Sequence, residues 1–129
     1  MTSYILDIPY RITSAAGVQG ARVVVYDTAE GNCALPAEAN AGGILGITTY
    51  AQPIQNYSVG VRKAGVARVV AAGAIAVVEP VNIAGTSGKV KAISETAGTR
   101  INCIGFAETS AAADGDIIEV FICLHERTA

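Results

Sequence analysis

Apolar residues in this chain occur in short runs that alternate with polar or small residues and stop at Gly, Pro, Asn or Asp. This pattern is typical of β-strands, because successive side chains of a strand point to opposite faces of the sheet. The runs predict strands at residues 20–26, 44–49, 59–62, 66–70, 74–81 and 89–93. Short strands at this frequency, separated by turn residues, indicate an all-β chain folded as a compact antiparallel barrel or sandwich.

The stretch at residues 101–124 contains the strongest strand signals and predicts a hairpin. An apolar run at 101–106 is followed by small residues, then by Asp114, Gly115 and Asp116, and then by the run 117–124. Gly115 is expected to reverse the chain, since glycine adopts a positive φ at little steric cost. Seven of the eight residues at 117–124 are apolar, which predicts a strand covered on both faces.

The same order of features occurs twice along the chain. Residues 45–48 (LGIT) match residues 104–107 (IGFA) without a gap, and residues 55–61 then fall on residues 114–120. Further back, the apolar run 23–26 in the first copy matches residues 74–78 in the second. A repeat of this kind predicts two similar β units that close over one core, rather than two independent domains.

The N-terminal segment has a pattern of its own. Ile8, Tyr10 and Ile12 alternate with Pro9 and Arg11, and a proline keeps the chain extended while removing one hydrogen-bond donor. We therefore divide the chain into an extended N-terminal arm at residues 1–14 and a single β-rich domain at residues 15–129. The arm could add a strand to a sheet of its own chain or of a partner, or be simply the first strand of the barrel.

Composition also favours strands over helices. Hydrophobic residues make up 51% of the chain and charged residues only 16%, which excludes intrinsic disorder. The apolar residues are mostly Ala, Val and Ile, and the branched side chains among them suit a pleated, half-buried surface. The one helical signal, at residues 35–41 with Pro36 near its start, predicts no more than one short helical turn.

Charge and apolar length bear on the class of partner. A net charge of −2 without a clustered basic face argues against nucleic acid. The longest apolar stretch, residues 66–78, contains Arg68 and is too short to cross a bilayer, so no membrane partner is expected. Residues 1–10 lack the basic start and long apolar run of a signal peptide. We therefore expect a soluble protein made in the cytosol.

Two features of the sequence could indicate a metal or phosphate site, but the spacing of their residues does not fit one. Cys33, Cys103 and Cys123 form no CxxC pair, and the last two fall inside apolar runs, where a free cysteine is expected to be buried. Residues 84–89 (AGTSGK) resemble a phosphate-binding loop, but Ile83 stands where that loop needs its first glycine and Val90 where it needs Ser or Thr. Neither feature predicts a metal or a cofactor.

The titratable residues do not predict an enzyme either. The single histidine, His125, falls in what we interpret as a polar tail at residues 125–129, so a surface position without a catalytic role is expected. Asp114, Asp116 and Glu119 lie close together, but Asp beside Gly is ordinary turn content, and we interpret the group as a turn. The prediction is a protein with no catalytic site, no metal and no cofactor.

Several segments of the C-terminal two thirds resemble a family of small tailed-phage head proteins, the capsid decoration or cement proteins. The resemblance lies in residues 59–61, 69–77, 88–90, 104–108 and 112–120. Members usually have an Asp where this chain has Ala74. The resemblance implies a β-rich protomer that forms homotrimers on the outer surface of an icosahedral phage head. There it would clamp neighbouring copies of the major capsid protein, as a virion protein synthesised in the host cytoplasm.

Interface residues are predicted where aromatic and aliphatic side chains occur together, because aromatic anchors dominate protein interfaces. For the capsid contact we predict Tyr4, Ile5, Leu6, Ile8 and Tyr10 of the N-terminal arm. For the trimer interface we predict Tyr50, Pro53, Ile54 and Tyr57. Two other functions remain open at this stage: a small β-barrel module that binds a sugar or peptide, and another structural component of a phage head or tail.

Overall fold

The computed structural model describes residues 5–129, which contain ten strands and no helix. The strands are β1 Leu6–Ile12, β2 Val23–Tyr26, β3 Asn32–Ala34, β4 Ile44–Thr48, β5 Ser58–Ala64, β6 Val66–Val70, β7 Pro80–Ile83, β8 Val90–Ala92, β9 Arg100–Ala107 and β10 Ile117–Thr128. The all-β prediction is confirmed. Nothing in this part of the chain forms a helix that could cross a membrane.

The one-turn helix predicted at residues 35–41 does not form. This segment consists of bends and a turn, and Asn40 adopts a left-handed backbone with a φ of 54°. The Asn40 side chain accepts a hydrogen bond from the Asn102 amide (2.9 Å) and donates one to the Arg100 carbonyl (2.8 Å). Contacts with a distant strand therefore decide the backbone here, against the weak local preference for a helix.

The first five strands form a closed barrel in the order β1-β3-β2-β4-β5. β1 pairs antiparallel with β5 from Leu6 to Arg11, and parallel with β3 at Arg11 and Ile12. Ile12 is fully buried inside this barrel. Of the alternatives for the N-terminal segment, the structure therefore shows the first strand of the barrel, paired within its own chain.

The last five strands form a second sheet in the order β6-β10-β9-β7-β8, with every neighbouring pair antiparallel. The predicted hairpin is confirmed as β9 and β10, and Gly115 in the turn has a φ of 97°. The predicted polar tail at residues 125–129 is wrong, because β10 continues to Thr128. His125 pairs with Cys103 and Thr128 with Arg100, so backbone pairing extends the strand beyond the apolar run.

The barrel and the second sheet are two copies of one topology. The shift of 59 residues that carries Gly46 to Gly105 also places β1 on β6, β2 on β7, β3 on β8, β4 on β9 and β5 on β10. Counted from its first strand, each copy has the neighbour order first, fifth, fourth, second, third. The isolated antiparallel bridge Val18–Gln52 has a counterpart in Ile75–Ala111. The predicted repeat of two similar β units is confirmed.

One part of the predicted alignment is wrong. β2 corresponds to β7 at Pro80–Ile83 and not to residues 74–78, and the strand predicted at 74–81 begins only at Pro80. Residues 76–79 form a turn instead, closed by a hydrogen bond from the Glu79 amide to the Ala76 carbonyl (3.3 Å). Val78 has a φ of 74° in this turn, so the backbone leaves the extended conformation despite the β-branched side chains.

Two clusters of buried side chains hold the units together. One fills the barrel and includes Ile12, Val24 and Leu45. The other lies between the second sheet and the barrel wall and contains residues of both units, including Ile47 of β4 and Ile104 of β9. Every residue of β4 is buried: Leu45 enters the cluster inside the barrel, and Ile44 and Ile47 enter the shared one. The two units therefore close over a shared core, and the barrel has an additional core of its own.

A buried polar network ties the 35–43 connection to the second sheet. Asn82 is completely buried and donates its amide hydrogens to the Asn40 side-chain oxygen (3.3 Å) and to the Glu95 carboxylate (3.0 and 3.1 Å). Lys91 also forms an ion pair with Glu95. Burial by itself would raise the pKa of Glu95, but the hydrogen bonds from Lys91 and Asn82 outweigh it and hold that pKa below its ordinary value.

Candidate interaction surfaces

Some of the side chains predicted for the capsid contact are exposed, and others are partly buried within the chain. Ile5 and Leu6 are about half exposed, at 54% and 49%, whereas Ile8 and Tyr10 are partly buried. Tyr4 lies outside the described residues. The start of β1 therefore offers two free apolar side chains beside the turn between β5 and β6, because Leu6 pairs with Ala64.

Tyr10 is held by a contact within its own chain. The Lys63 ammonium group donates hydrogen bonds to the hydroxyl oxygens of Tyr10 and Tyr26, each at 3.1 Å, and lies about 5.5 Å from both ring centres. The hydrogen bonds to Tyr26 and Tyr10 raise the pKa of Lys63, which keeps its positive charge over the rings. The Lys63 contacts therefore connect β1, β2 and β5 on the outside of the barrel.

The residues predicted for the trimer interface form a single exposed loop, the 50–57 loop. Tyr50, Ile54 and Tyr57 are each at least half exposed, and Pro53 is exposed between them. The loop is tied to the barrel by Gln52, whose side-chain amide donates to the Ser58 carbonyl (2.9 Å). Its apolar side chains are therefore presented on an ordered backbone, which lowers the entropic cost of binding.

A further apolar surface, which sequence reasoning missed, lies on the second sheet. We call it the outer face, and it consists of Val66, Phe106, Ile117 and Phe121. Along β10 exposed and buried residues alternate from Ile117 to Ile122, so the prediction that this strand is covered on both faces is wrong for the isolated chain. Phe121 lies opposite both Val66 and Phe106 on its neighbouring strands, so these three side chains adjoin, and Ile117 lies on the same side of β10 beyond Glu119.

Charged and aromatic groups also lie on this outer face. The His125 ring stacks on Phe106 with 5.1 Å between ring centres and 11° between planes, and the Arg127 guanidinium lies 6.0 Å from the same ring. Arg68 and Glu119 lie directly opposite each other on β6 and β10. The sequence signal for this face is the apolar run at 117–124, but the run alone does not show whether one or both of its sides are covered.

A fourth exposed apolar feature is the turn at residues 76–79. Val77 is 53% and Val78 70% exposed, and the Val78 amide is fixed by a hydrogen bond to the Ala107 carbonyl (2.7 Å). A β-branched residue with positive φ is strained, because its Cβ approaches neighbouring backbone atoms. The chain thus presents two valines at the tip of a turn that a glycine would form more easily.

The acidic residues of the β9–β10 hairpin are used as turn and surface groups. The Asp116 carboxylate accepts hydrogen bonds from the amides of Ala112 (2.8 Å) and Ala113 (3.1 Å), and Asp114 forms an ion pair with Lys89 (2.9 Å). This geometry confirms the interpretation as a turn for Asp114 and Asp116, whereas Glu119 lies on β10. Among residues 5–129, no group of three or more His, Cys, Asp or Glu side chains could hold a metal ion.

The cysteines differ from the prediction in one case. Cys33 and Cys103 are buried, but Cys123 is exposed on β10, because the alternation of that strand places it on the same side as Phe121. Burial raises the pKa of the Cys33 thiol to about 11, helped by the nearby negative charge of Asp27. Burial also raises the pKa of Cys103. All three thiols are free.

Comparison with known proteins shows a likeness of fold. The sequence matches no protein family model and no curated protein. The structure is similar to the crystal structure of the N base of head fiber gp8.5 of bacteriophage phi29, with a TM-score of 0.66 and 15% sequence identity. The match covers 93% of this chain and 95% of the phage chain. The two proteins therefore share one fold over nearly their whole length.

Proposed function

We propose that this protein is a structural component of a bacteriophage head, carried on the outer surface of the particle. The observation that carries the proposal is the whole-length likeness of its fold to the N base of the phi29 head fiber. A pair of fused β units is a rigid body that can present fixed surfaces to a shell. The resemblance of residues 59–120 to capsid decoration proteins supports the same role.

In the more specific form of this proposal, the protein is a homotrimer that clamps neighbouring copies of the major capsid protein. Ile5 and Leu6 at the start of β1 contact the capsid, and the 50–57 loop contacts neighbouring protomers. Burial of each such side chain contributes on the order of 1.5–3 kcal/mol before ordering costs. A trimer engages three surfaces at once, so modest contacts combine into tight attachment. The outer face of the second sheet adds apolar area that the particle would cover.

The test combines mass measurement with binding to phage heads. Light scattering on the purified protein is expected to give the mass of a trimer, and the protein is expected to sediment with heads that lack it. The double variant Ile5→Ser, Leu6→Ser is expected to stay trimeric but to lose sedimentation with heads. Deletion of residues 1–13 is unsuitable, because it removes a barrel strand and the buried Ile12.

The double variant Val77→Ser, Val78→Ser is the matched control, since it removes similar exposed area away from both predicted contacts and should bind as the unaltered protein does. A monomeric protein that does not sediment with heads would overturn the proposal. The alternative would then be a module that binds a sugar or peptide. Attachment to tails in place of heads would assign the protein to another part of the particle. Accessibility of Cys123 before and after attachment reports whether the outer face is covered.

A further inference from the structure

The edge of β6 leaves one pair of backbone groups open. β6 and β10 exchange hydrogen bonds through Ala71, whose amide donates to the Asp116 carbonyl (2.8 Å), and through Gly65, whose carbonyl accepts from the Ile122 amide (2.9 Å). In an antiparallel pair, bonded and non-bonded residues alternate, so the amide and carbonyl of Arg68 point away from β10. Arg68 therefore presents a donor and an acceptor at the free edge of the sheet.

Both ends of this edge are already occupied. The Val70 amide donates to the Ala21 carbonyl (3.0 Å), and the Val66 carbonyl accepts from the Arg62 guanidinium (3.0 Å). Between these two contacts the Arg68 backbone has no protein partner among the described residues. It faces a groove of about 430 Å³ between β6 and the barrel, bounded on the far side by residues 19–22 and 48–49. That volume is within the range of small-molecule sites.

In the first β unit, the position equivalent to Arg68 has no backbone hydrogen-bond donor. The 59-residue shift places Pro9 of β1 where Arg68 stands in β6. The amide of Ile12 donates to the carbonyl of Tyr57, which directly precedes β5, so by the same alternation the nitrogen of Pro9 points away from β5. Proline at an outward-facing position removes the donor and is a common means of blunting a strand edge. The two units therefore differ at the one position that decides whether an edge can accept another strand.

The groove is also positively charged. Arg22, Arg62 and Arg68 line it. Arg62 is neutralised by Asp7, with N–O distances of 2.9 and 3.1 Å, and the hydrogen bonds from Arg62 lower the pKa of that aspartate. Arg22 donates to Ser87 and Gln19, but its Nε is buried without a partner. Arg68 forms no ion pair among the described residues. A carboxylate is the complementary group for the two remaining guanidinium groups.

We propose that this groove binds an extended segment of a partner protein, which adds a short strand at Arg68 and places an acidic side chain between Arg22 and Arg68. The amide and carbonyl of Arg68 form two hydrogen bonds with the backbone of the added strand, whatever the sequence of that strand. The arginine side chains provide the preference for an acidic residue. Apolar side chains flanking the acid would contact Val70 and Ile117, which also line the groove. This inference does not depend on attachment to a phage head.

The test uses the full chain and a defined probe. The probe is a capped seven-residue peptide of alternating threonine and valine with a central glutamate. A control peptide has glutamine at the central position and is otherwise identical. Titration of the isotope-labelled protein is expected to shift the backbone amide resonances of Arg68 and Val70 in a saturable way. The glutamine peptide is expected to bind about tenfold more weakly, as loss of a charge-assisted hydrogen bond predicts.

Two variants separate the backbone from the charge. Arg68→Pro removes the edge donor, and the fold should survive because the first unit has a proline at the same place. It is expected to abolish binding of both peptides. Arg68→Gln keeps the donor and is expected to remove the preference for glutamate. Arg127→Gln, a change beside Phe106 on the outer face, is the charge-matched control and should bind as the unaltered protein does.

Three results would overturn the inference. The first is the absence of saturable shifts with the glutamate peptide at millimolar concentration. The second is unchanged binding to a folded Arg68→Pro protein, with folding established by its thermal unfolding midpoint. The third is equal affinity for the two peptides, which would remove the acidic residue from the proposal.

Discussion

Gly46 and Gly105 lie at equivalent positions of the two β units, and each passes directly beneath a carbonyl oxygen of the neighbouring strand. A Cβ on Gly46 would lie 2.3 Å from the carbonyl oxygen of Arg62, and a Cβ on Gly105 would lie 1.9 Å from that of Phe121. These carbonyl partners are themselves related by the same 59-residue shift. Close approach of two strands, and not a turn, requires glycine at both places.

Replacement of either glycine by alanine is expected to destabilise the protein. Gly46→Ala and Gly105→Ala should each lower the free energy of unfolding by roughly 1–3 kcal/mol, because backbone atoms must move to admit the methyl group. Gly105→Ala is expected to have the larger effect, since its contact is closer. Urea denaturation measures both. Gly73→Ala is the matched control, because a Cβ there meets nothing within 4 Å, and it should be neutral or slightly stabilising.

Val78→Gly is expected to stabilise the protein. The left-handed backbone of Val78 costs a branched residue about 1–2 kcal/mol, and glycine removes that strain but loses some entropy on folding. A net gain of roughly 0.5–1 kcal/mol in the free energy of unfolding should follow. Val77→Gly is the control, since Val77 is also exposed but has no positive φ. This variant should have a lower free energy of unfolding than the unaltered protein. Equal effects of the two changes would contradict the strain at Val78.

The Glu95 network is expected to make stability depend on acid pH. The pKa of Glu95 is lower in the folded protein than in the unfolded chain, so its ionised form stabilises the fold above the unfolded pKa. That contribution disappears as pH falls through the folded pKa, which lies below 4.5. Urea titrations between about pH 3 and pH 6 should show the loss, and Glu95→Gln should reduce the slope. An identical slope in this variant would refute the assignment.

The three thiols are expected to react at different rates with a thiol reagent. Cys123 is exposed and should react quickly in the native protein, whereas Cys33 and Cys103 should react only after unfolding. Burial raises the pKa of Cys33 to about 11, so at neutral pH this residue has little reactive thiolate. Absorbance with Ellman's reagent should report one fast thiol per chain, and none in Cys123→Ser. Rapid reaction of a second thiol would contradict the burial of the barrel core.

Local pattern was enough to predict much of the fold. The hairpin around Gly115 and the strands β2, β4, β5 and β6 follow from apolar runs bounded by turn residues, which act within a few positions of the chain. The repeat was also visible, because both copies contain an apolar-Gly-apolar strand at the same spacing. The errors at residues 35–41 and 74–79 share a cause: a hydrogen bond to a distant strand fixes a positive φ at Asn40 and Val78.

The interaction surfaces were less accessible to sequence reasoning. The exposure of Ile5, Tyr50 and Tyr57 agrees with their selection as interface residues, although exposure does not test the contact itself. The outer face could not be assigned, because the apolar run of β10 looks the same whether one or both of its sides are covered. The open edge at Arg68 is invisible in the sequence, since it depends on which side of β6 is paired.

The amino-acid sequence by itself determined the strand content, the turn at Gly115 and the existence of two related units, because alternation and turn chemistry are local properties of the chain. Only the tertiary structure decided how the units differ. Closing the first into a barrel buries Ile12 at the end of β1, while the second unit leaves Phe121 exposed and Arg68 at a free edge. Which face of a strand is covered depends on residues far away in the chain, and no local pattern encodes that.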